Sequence, residues 1–369
     1  MERCPVELWL RIVTLACTDG GYTGCSLCLV SQRMRHIVES VRFLSISLVH
    51  EEQLLAFSRL LPDPDSQYSP PVIRHLLIFV KLYFRSDPEG KSRGESLQQA
   101  TRKIISVAAP NVETLVVHQA RYDLVFSMLK FPALRDLSLD GLSSSSEINI
   151  SRFPALRRLH LGSSQVLLDF WSDLAHFARS LTHLRISGIA LSRTISPFLL
   201  ILLDLPIQNH AESIAAIRRD NEYTLSSADA ANAVAFAEGL PALEHIVIQP
   251  YKIGIVSRRA PGIREHYLMK YGLVRIARAC AQAQGTKKLY VLPDSPAYSV
   301  DEARRDWLEM VEGGDGPWSA SADGYGVGAS VHNQRQEEHG AHDVRPPPHL
   351  LRRIPHQALP TEGELPPTS

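Results

Sequence analysis

The feature that most constrains the fold is a short motif that recurs along the middle of the chain. Each copy has an apolar residue, two further residues, and then two apolar residues separated by one position. Val112, Leu134, Leu156 and Leu181 hold the first apolar position at spacings of 22, 22 and 25 residues, and a further copy starts at Pro241. This regular spacing predicts a structural repeat in which every unit contributes the same element.

The pattern inside each copy predicts its local structure. Leu137 and Leu139 alternate with polar residues, which predicts a short strand with one apolar face. Leu134 precedes this strand, and we expect it to fill the same core from the turn. A single unit cannot bury its apolar edge alone, so neighbouring units are expected to stack side by side.

The spacing of the motif resembles that of leucine-rich repeats. Apolar periods typical of helices fill the intervals between the strands, and this alternation indicates parallel strands with helices on the outside. We therefore predict the α/β fold class, with an irregular leucine-rich-repeat-like solenoid over residues 49–312. The alternative is a set of unrelated strands in a globular α/β domain. The predicted helices cover residues 50–61, 92–108, 166–179, 228–238 and 265–284.

Three segments depart from the repeat. Residues 187–240 break its rhythm, and we interpret them as irregular repeats with a longer insertion. Ser299 and Glu302 have the spacing of a capping box, which predicts a helix that covers the end of the solenoid. Residues 313–369 contain eight prolines and eight glycines but only eight Leu, Ile, Val and Phe residues together. This composition predicts a disordered tail.

The first 48 residues are predicted to form two short helices on either side of a glycine turn. Leu8, Ile12 and Leu15 lie on one face of the first helix, whose first helical position suits Pro5. The second helix is predicted to begin near Leu27. Two helices of about forty residues cannot enclose a core of their own, so their apolar faces need a partner.

These helices resemble an F-box over about residues 3–48. The resemblance is carried by Pro-x-Glu-Leu-x-x-x-Ile at residues 5–12 and by Leu-x-Leu-Val-Ser at residues 27–31. It implies docking on the Skp adaptor of a Skp–cullin–F-box ubiquitin ligase, as in F-box domain-containing proteins of fungi. Cys4 stands where the family usually has leucine, and Met34 where it often has tryptophan. The adaptor-binding positions that the resemblance implies are Pro5, Leu8, Ile12, Leu27, Leu29, Val30, Ser31 and Met34.

Together, the F-box module of residues 1–48 and the repeat domain imply a substrate-recognition subunit. Such a subunit binds the Skp adaptor, and through it a cullin, and presents a protein target for ubiquitin transfer. The alternative is a free-standing protein-interaction scaffold whose N-terminal helices cap the solenoid. That alternative requires the helical faces to pack on residues 41–61, whereas docking on an adaptor requires them to be partly exposed.

Other functions have little support in the sequence. Lys and Arg together number 39, as do Asp and Glu, so no overall basic charge favours nucleic acid or an anionic membrane. Cys25 and Cys28 have no second ligand pair for zinc, and no motif of an enzyme class occurs. We therefore expect no catalysis, cofactor or metal. The absence of a secretory signal and of a long apolar run predicts a cytoplasmic or nuclear protein, or one found in both, with free and mostly buried cysteines.

Several arginines fall in or near the repeats. Two interpretations are open: a surface that binds an acidic or phosphorylated target, or a solvated face. We favour the solvated face. The arginines concerned are Arg157, Arg158, Arg185, Arg193, Arg218 and Arg219.

Overall fold

Eight parallel strands form one open sheet, and they follow one another across it in the order of the sequence. The strands are β1 Ser45–Leu48, β2 His75–Phe79, β3 Thr114–His118, β4 Asp136–Asp140, β5 Arg158–Gly162, β6 His183–Ile189, β7 His245–Pro250 and β8 Lys288–Val291. The computed structural model describes residues 4–62, 70–80, 88–118, 129–140, 153–162, 179–189, 195–205, 238, 240–252, 263–283, 285–295 and 298–318.

The register of the sheet matches the alignment of the repeats. Leu115 of β3 pairs with Leu137 of β4, which pairs with Leu159 of β5. These residues, and the apolar residues two positions later, point into the main hydrophobic core. Val112 and Leu134, which precede their strands, are fully buried in the same core. The predicted strands and their inward alternation are therefore confirmed, because stacking buries the one apolar edge that each unit has.

Among the described residues, four helices cover this core face of the sheet. They are α4 Glu51–Leu60, α5 Pro88–Ala108, α6 Ile195–Leu202 and α7 Ile263–Gln282. Helices α4, α5 and α7 lie where helical periodicity predicts them. Helix α6 was not predicted, because its sequence is apolar at nearly every position and therefore shows no helical periodicity of apolar and polar residues. The helix predicted over residues 166–179 falls almost wholly outside the described residues, as does the one over residues 228–238.

The C-terminal helix, α8 Val300–Val311, lies on the opposite face of the sheet. Its predicted capping box is confirmed: Ser299 Oγ accepts from the Glu302 backbone N–H at 3.2 Å, and the Glu302 carboxylate accepts from Ser299. The predicted position at the end of the solenoid is wrong. Trp307 packs instead with Leu77 and Val116, because strands β2 and β3 are apolar on both faces and need a second cover.

The predicted start of the tail at residue 313 is also wrong. Residues 316–318 form a 3₁₀ turn, Gly316–Trp318, whose three residues are buried. The composition of this stretch resembles a linker, but the indole of Trp318 adds a large apolar surface that packs with Trp307. Residues 319–369 lie outside the described part of the chain.

Three short helices, and not the predicted two, form the N-terminal module. They are α1 Val6–Ala16, α2 Tyr22–Cys28 and α3 Gln32–Val38. Ser31 separates the last two and caps α3, since its Oγ accepts from the Met34 backbone N–H at 3.1 Å. Pro5 is the N-cap of α1 and not its first helical residue. Residues 45–48, which the sequence placed within the module, form the first strand of the sheet.

None of the helices in the described ranges combines the length and the apolar character that crossing a bilayer requires.

Candidate functional site

The N-terminal module has a small core of its own. Val13 of α1 and Cys17, the residue that ends this helix, pack there against Met34 and Val38 of α3, together with Val41 and Leu44 from the chain that follows. Burial raises the pKa of the Cys17 thiol to about 11, with a smaller contribution from Asp19. The thiol is therefore protonated at neutral pH and acts as an apolar packing group.

The turn between α1 and α2 attaches the module to the sheet. The Gly20 backbone N–H donates to Ser45 Oγ at 3.3 Å, and Ser45 Oγ donates to the Thr18 carbonyl at 3.1 Å. The Ser47 N–H of β1 donates to the Gly20 carbonyl at 3.3 Å. Gly20 has φ +84°, and a Cβ there would lie 2.9 Å from the Cβ of Ser47. Only glycine fits this close approach, so the module is packed directly on the first strand.

Helix α8 also contacts the module. The Arg304 guanidinium lies 5.7 Å from the centre of the Tyr22 ring, within the range of a cation–π interaction. Trp307 comes close to Gly20, since its Cζ3 lies 3.6 Å from the position that a Cβ would take there. The module is therefore held both by the strand that follows it and by a helix near residue 300.

An apolar face of the module lies exposed. The exposed fractions are 51% for Leu8, 52% for Ile12, 82% for Leu29 and 57% for Val30, and Leu15 is exposed as well. Large apolar side chains that are exposed together usually mark an interaction surface. Among the described residues, each of these four side chains keeps more than half of its surface exposed.

The eight residues that the F-box resemblance implies do not all lie on this face. Pro5, Leu8, Ile12, Leu29, Val30 and Ser31 are exposed. Leu27 is half-buried against the core of the module, and Met34 is buried inside it, with an exposed fraction of 5%. Met34 is therefore a core residue, because α3 turns it toward Val13. The eight positions that the resemblance implies do not include Leu15, although helical periodicity places it on the same helix face as Leu8 and Ile12 and it is exposed.

The second candidate surface is the sheet face opposite the main core. At its centre His160 is completely buried between two serines: Ser138 Oγ lies 2.9 Å from Nδ1, and Ser187 Oγ lies 2.9 Å from Nε2. Burial, with the nearby charge of Arg185, lowers the pKa of His160 well below 6.5. The imidazole is therefore neutral at pH 7 and donates through one nitrogen while accepting through the other.

Arg185 lies beside this histidine and is also buried. Its Nε donates to Ser187 Oγ at 3.1 Å, its Nη2 donates to Gln249 Oε1 at 2.8 Å, and its Nη1 donates to the Pro317 carbonyl. Burial lowers the pKa of this guanidinium from its ordinary value. All three hydrogen-bond acceptors are neutral, and the charges of Asp306 and Glu302 act on the guanidinium in the direction opposite to burial.

The C-terminal segment of residues 298–318 closes over this network. The ring of Tyr298 meets that of His160 edge to face at 4.9 Å between centres, and the ring centre of Trp318 lies 6.3 Å from it. Tyr298 donates its hydroxyl to Asp306 Oδ2 at 2.8 Å. Burial raises the pKa of Tyr298 well above 10, as does the Asp306 carboxylate, so the phenol stays protonated.

Polar side chains of neighbouring strands also pair with one another along this face. Arg158 forms a two-point contact with the Asp136 carboxylate, in which Nη2 donates to Oδ2 at 2.9 Å and Nε donates to Oδ1. His118 pairs with Asp140 and stacks on Phe79 at 4.2 Å between ring centres. Polar side chains of β3, β4 and β5 are therefore paired with one another across this face.

The repeat arginines therefore have different roles. Arg157 is exposed, as a solvated face requires. That interpretation is wrong for Arg158, which pairs with Asp136, and for Arg185, which is buried under Pro317. The remaining three, Arg193, Arg218 and Arg219, lie outside the described residues.

The cysteines and possible metal ligands are separate from both surfaces. The five thiols are free; Cys17 and Cys280 are buried, Cys25 is exposed, and Cys4 and Cys28 are half-buried. The expectation of mostly buried thiols therefore holds for two of them. Within the described ranges, no three His, Cys, Asp or Glu side chains converge as metal ligands would.

Comparison with known proteins adds no relative for this chain. No protein-family model matches the sequence, and a search of curated proteins found no match. The described residues form a mixed α/β architecture with an eight-stranded open parallel sheet, and apolar side chains of the N-terminal module lie exposed.

Proposed function

We propose that this chain is a non-catalytic substrate-recognition subunit of a Skp–cullin–F-box ubiquitin ligase. One observation carries the proposal: the apolar side chains at the F-box-like positions Leu8, Ile12, Leu29 and Val30 are all exposed. Had these helices only capped the solenoid, the same side chains would be packed on residues 41–61. The inner side chains of the module, such as Val13 and Met34, make that packing instead.

The adaptor binds this face in the proposed complex. Full burial of one leucine or isoleucine side chain contributes about 1.5–3 kcal/mol, so four such residues are enough to anchor an interface. Pro5 and Ser31 have supporting roles, since each begins a helix and sets the path of the chain into it. The repeat sheet, which is similar in its regular parallel order to leucine-rich repeats, presents the target.

The mechanism is proximity. The chain holds a target protein near a ubiquitin-charged enzyme supplied by other subunits, which raises the effective concentration of the two reactants. A rigid connection between the adaptor-binding module and the sheet favours this mechanism. The contacts of Gly20 with β1, together with the Arg304–Tyr22 contact, supply that connection.

The test is calorimetric titration of a purified Skp adaptor into the full chain. A variant with Leu8→Asp and Leu29→Asp puts two charges on the proposed interface, and we expect binding to fall more than tenfold. Leu60→Asp is the matched control, because Leu60 is 70% exposed on α4 outside the module. This control should bind as the wild type does. A well-folded wild-type chain that fails to bind the adaptor would falsify the proposal and leave the free-standing scaffold.

A further inference from the structure

We infer that residues 350–354 of the chain dock on the exposed apolar side chains of the N-terminal module and cover them when no partner is bound. These residues are called the tail segment below. The inference rests on the proposed function in one respect: the side chains that the tail segment covers are those to which the adaptor binds, so docking of the segment regulates that interface. Three features carry the inference.

The first feature is the concentration of exposed apolar side chains on the module. The described residues leave eleven large hydrophobic side chains exposed, and eight of these lie within residues 6–30. Leu29 and Leu15, with exposed fractions of 82% and 72%, are the two most exposed of the eleven. Monomeric proteins rarely leave much apolar surface together in water, because each Å² that is buried contributes about 25 cal/mol. An apolar segment of the same chain would therefore be stabilised by covering these side chains.

The second feature is the sequence of the tail segment. Residues 319–369 contain eight Leu, Ile, Val and Phe residues in total, and three of the eight fall within the five positions of the segment. These three are Leu350, Leu351 and Ile354. Their spacing of i, i+1 and i+4 is that of one face of a helical turn, and Arg352 and Arg353 fall outside this face. Apolar residues with helical spacing are a common means by which a short peptide binds an apolar surface.

The third feature is that the tail segment can reach the module. Trp318 lies against His160 of β5 and His183 of β6. The module, by contrast, packs on β1 through Gly20. Adjacent strands are about 4.8 Å apart, so the four to five strand spacings between the two places amount to roughly 20–25 Å. Residues 319–349 supply 31 positions, and a random coil of that length has an r.m.s. end-to-end distance of about 30 Å.

This match of length and span favours the tail segment over other occupants of the module. A linker whose r.m.s. length matches the span gives the highest effective concentration, on the order of 1 mM for a short flexible linker. At that concentration, a segment that binds with a Kd of about 0.1 mM covers the module in about nine chains of ten. A second copy of the chain at micromolar concentration would need a much higher affinity to compete.

The docking is tested by fluorescence anisotropy with a fluorescein-labelled peptide that has the sequence of residues 346–357. The protein is the full chain with Leu351→Asp and Ile354→Asp, called the open variant because its own segment no longer competes with the peptide. We expect the open variant to bind the peptide about tenfold more tightly than the wild-type chain does.

Further substitutions locate the peptide on the module. Adding Leu8→Asp and Leu29→Asp to the open variant should weaken peptide binding about tenfold or more, because both side chains are exposed on the module. Adding Leu60→Asp instead should leave peptide binding unchanged, since Leu60 is exposed on α4. A control peptide with Leu351→Asp and Ile354→Asp should bind to none of these variants.

Three outcomes overturn the inference: an open variant that does not bind the peptide, equal binding with and without the charges at Leu8 and Leu29, or equal peptide affinities of the open variant and the wild type. Sedimentation of the open variant without peptide tests the other occupant. Dimers that Leu8→Asp and Leu29→Asp abolish, in a chain that does not bind the peptide, would assign the module to a second copy and overturn the inference. No Skp adaptor is present in these experiments, so their failure is distinct from a failure of the adaptor interface.

Discussion

Arg185 donates a hydrogen bond to the backbone carbonyl of Pro317, although 132 positions separate the two residues in the sequence. This contact joins strand β6 to the turn that follows α8. It belongs to a larger arrangement in which residues 298–318 cross the sheet face opposite the main core. The polar network of that face is consequently enclosed by the chain itself, while the apolar face of the N-terminal module stays exposed.

Exposed and buried apolar residues of the module should respond differently to truncation. Leu29→Ala should leave the free energy of unfolding almost unchanged, because the side chain is 82% exposed, and should weaken adaptor binding about tenfold. Met34→Ala should lower the free energy of unfolding by about 2–5 kcal/mol, because it leaves a cavity in the small core of the module. Urea denaturation and calorimetric titration of both variants measure the two effects. Similar stability losses in the two variants would contradict the assigned burial.

Gly24 should not tolerate a methyl group. A Cβ at this position would lie 2.7 Å from the Arg42 carbonyl oxygen, a backbone atom that cannot move alone. Gly24→Ala should therefore lower the free energy of unfolding by about 1–3 kcal/mol. Gly285→Ala is the matched control, since nothing lies within 4 Å of its added Cβ, and it should be neutral or slightly stabilising. Thermal unfolding of the pair gives the comparison, and equal melting temperatures would disprove the close contact.

Trp307 should be the most important residue for holding α8 on the sheet. Its side chain is fully buried against Leu77 and Val116, and Trp307→Ala should cost about 3–5 kcal/mol of unfolding free energy. Arg305→Ala on the same helix removes a side chain that is 71% exposed and should change stability by less than about 1 kcal/mol. Hydrogen exchange should additionally speed up across α8 in the first variant. Protection that persists in α8 would show that other contacts hold the helix.

Stability should fall on mild acidification because of His160. The pKa of this histidine is well below 6.5 in the folded chain, while in the unfolded chain it is near 6.5, so the unfolded state binds more protons as the pH drops. The free energy of unfolding should therefore decrease below pH 6.5, by at most about 1.4 kcal/mol per pH unit from this residue. Denaturation curves between pH 7.5 and about 5 measure the slope.

His160→Gln is the control for that prediction, because an amide can still bond to Ser138 and Ser187 without titrating. Its stability should depend less steeply on pH than that of the wild type. Some dependence should remain, since burial also lowers the pKa of His75 and of His183. An unchanged slope in His160→Gln would mean that His160 does not bind the proton in question.

The core face of the fold could be predicted well because it depends on local periodicity. Leu134, Leu137 and Leu139 repeat at fixed offsets, and those offsets place them in register with Leu156, Leu159 and the later copies. The capping box at Ser299 was equally local, since four residues contain the whole signal. The N-terminal apolar pattern located an exposed face, but it did not separate Leu29, which is exposed, from Met34, which is buried.

The sequence by itself determined the strands, most of the described helices and the inward face of the sheet, because apolar residues at periods of two and of about 3.6 must be buried on one side of an element. Only the tertiary structure decided where α8 lies and what Arg185 contacts. Trp307 and Pro317 meet strands that lie more than a hundred residues earlier in the chain, and no periodic signal links such distant segments. Their positions follow from the apolar and polar surface that β2 to β6 leave uncovered once the sheet has formed.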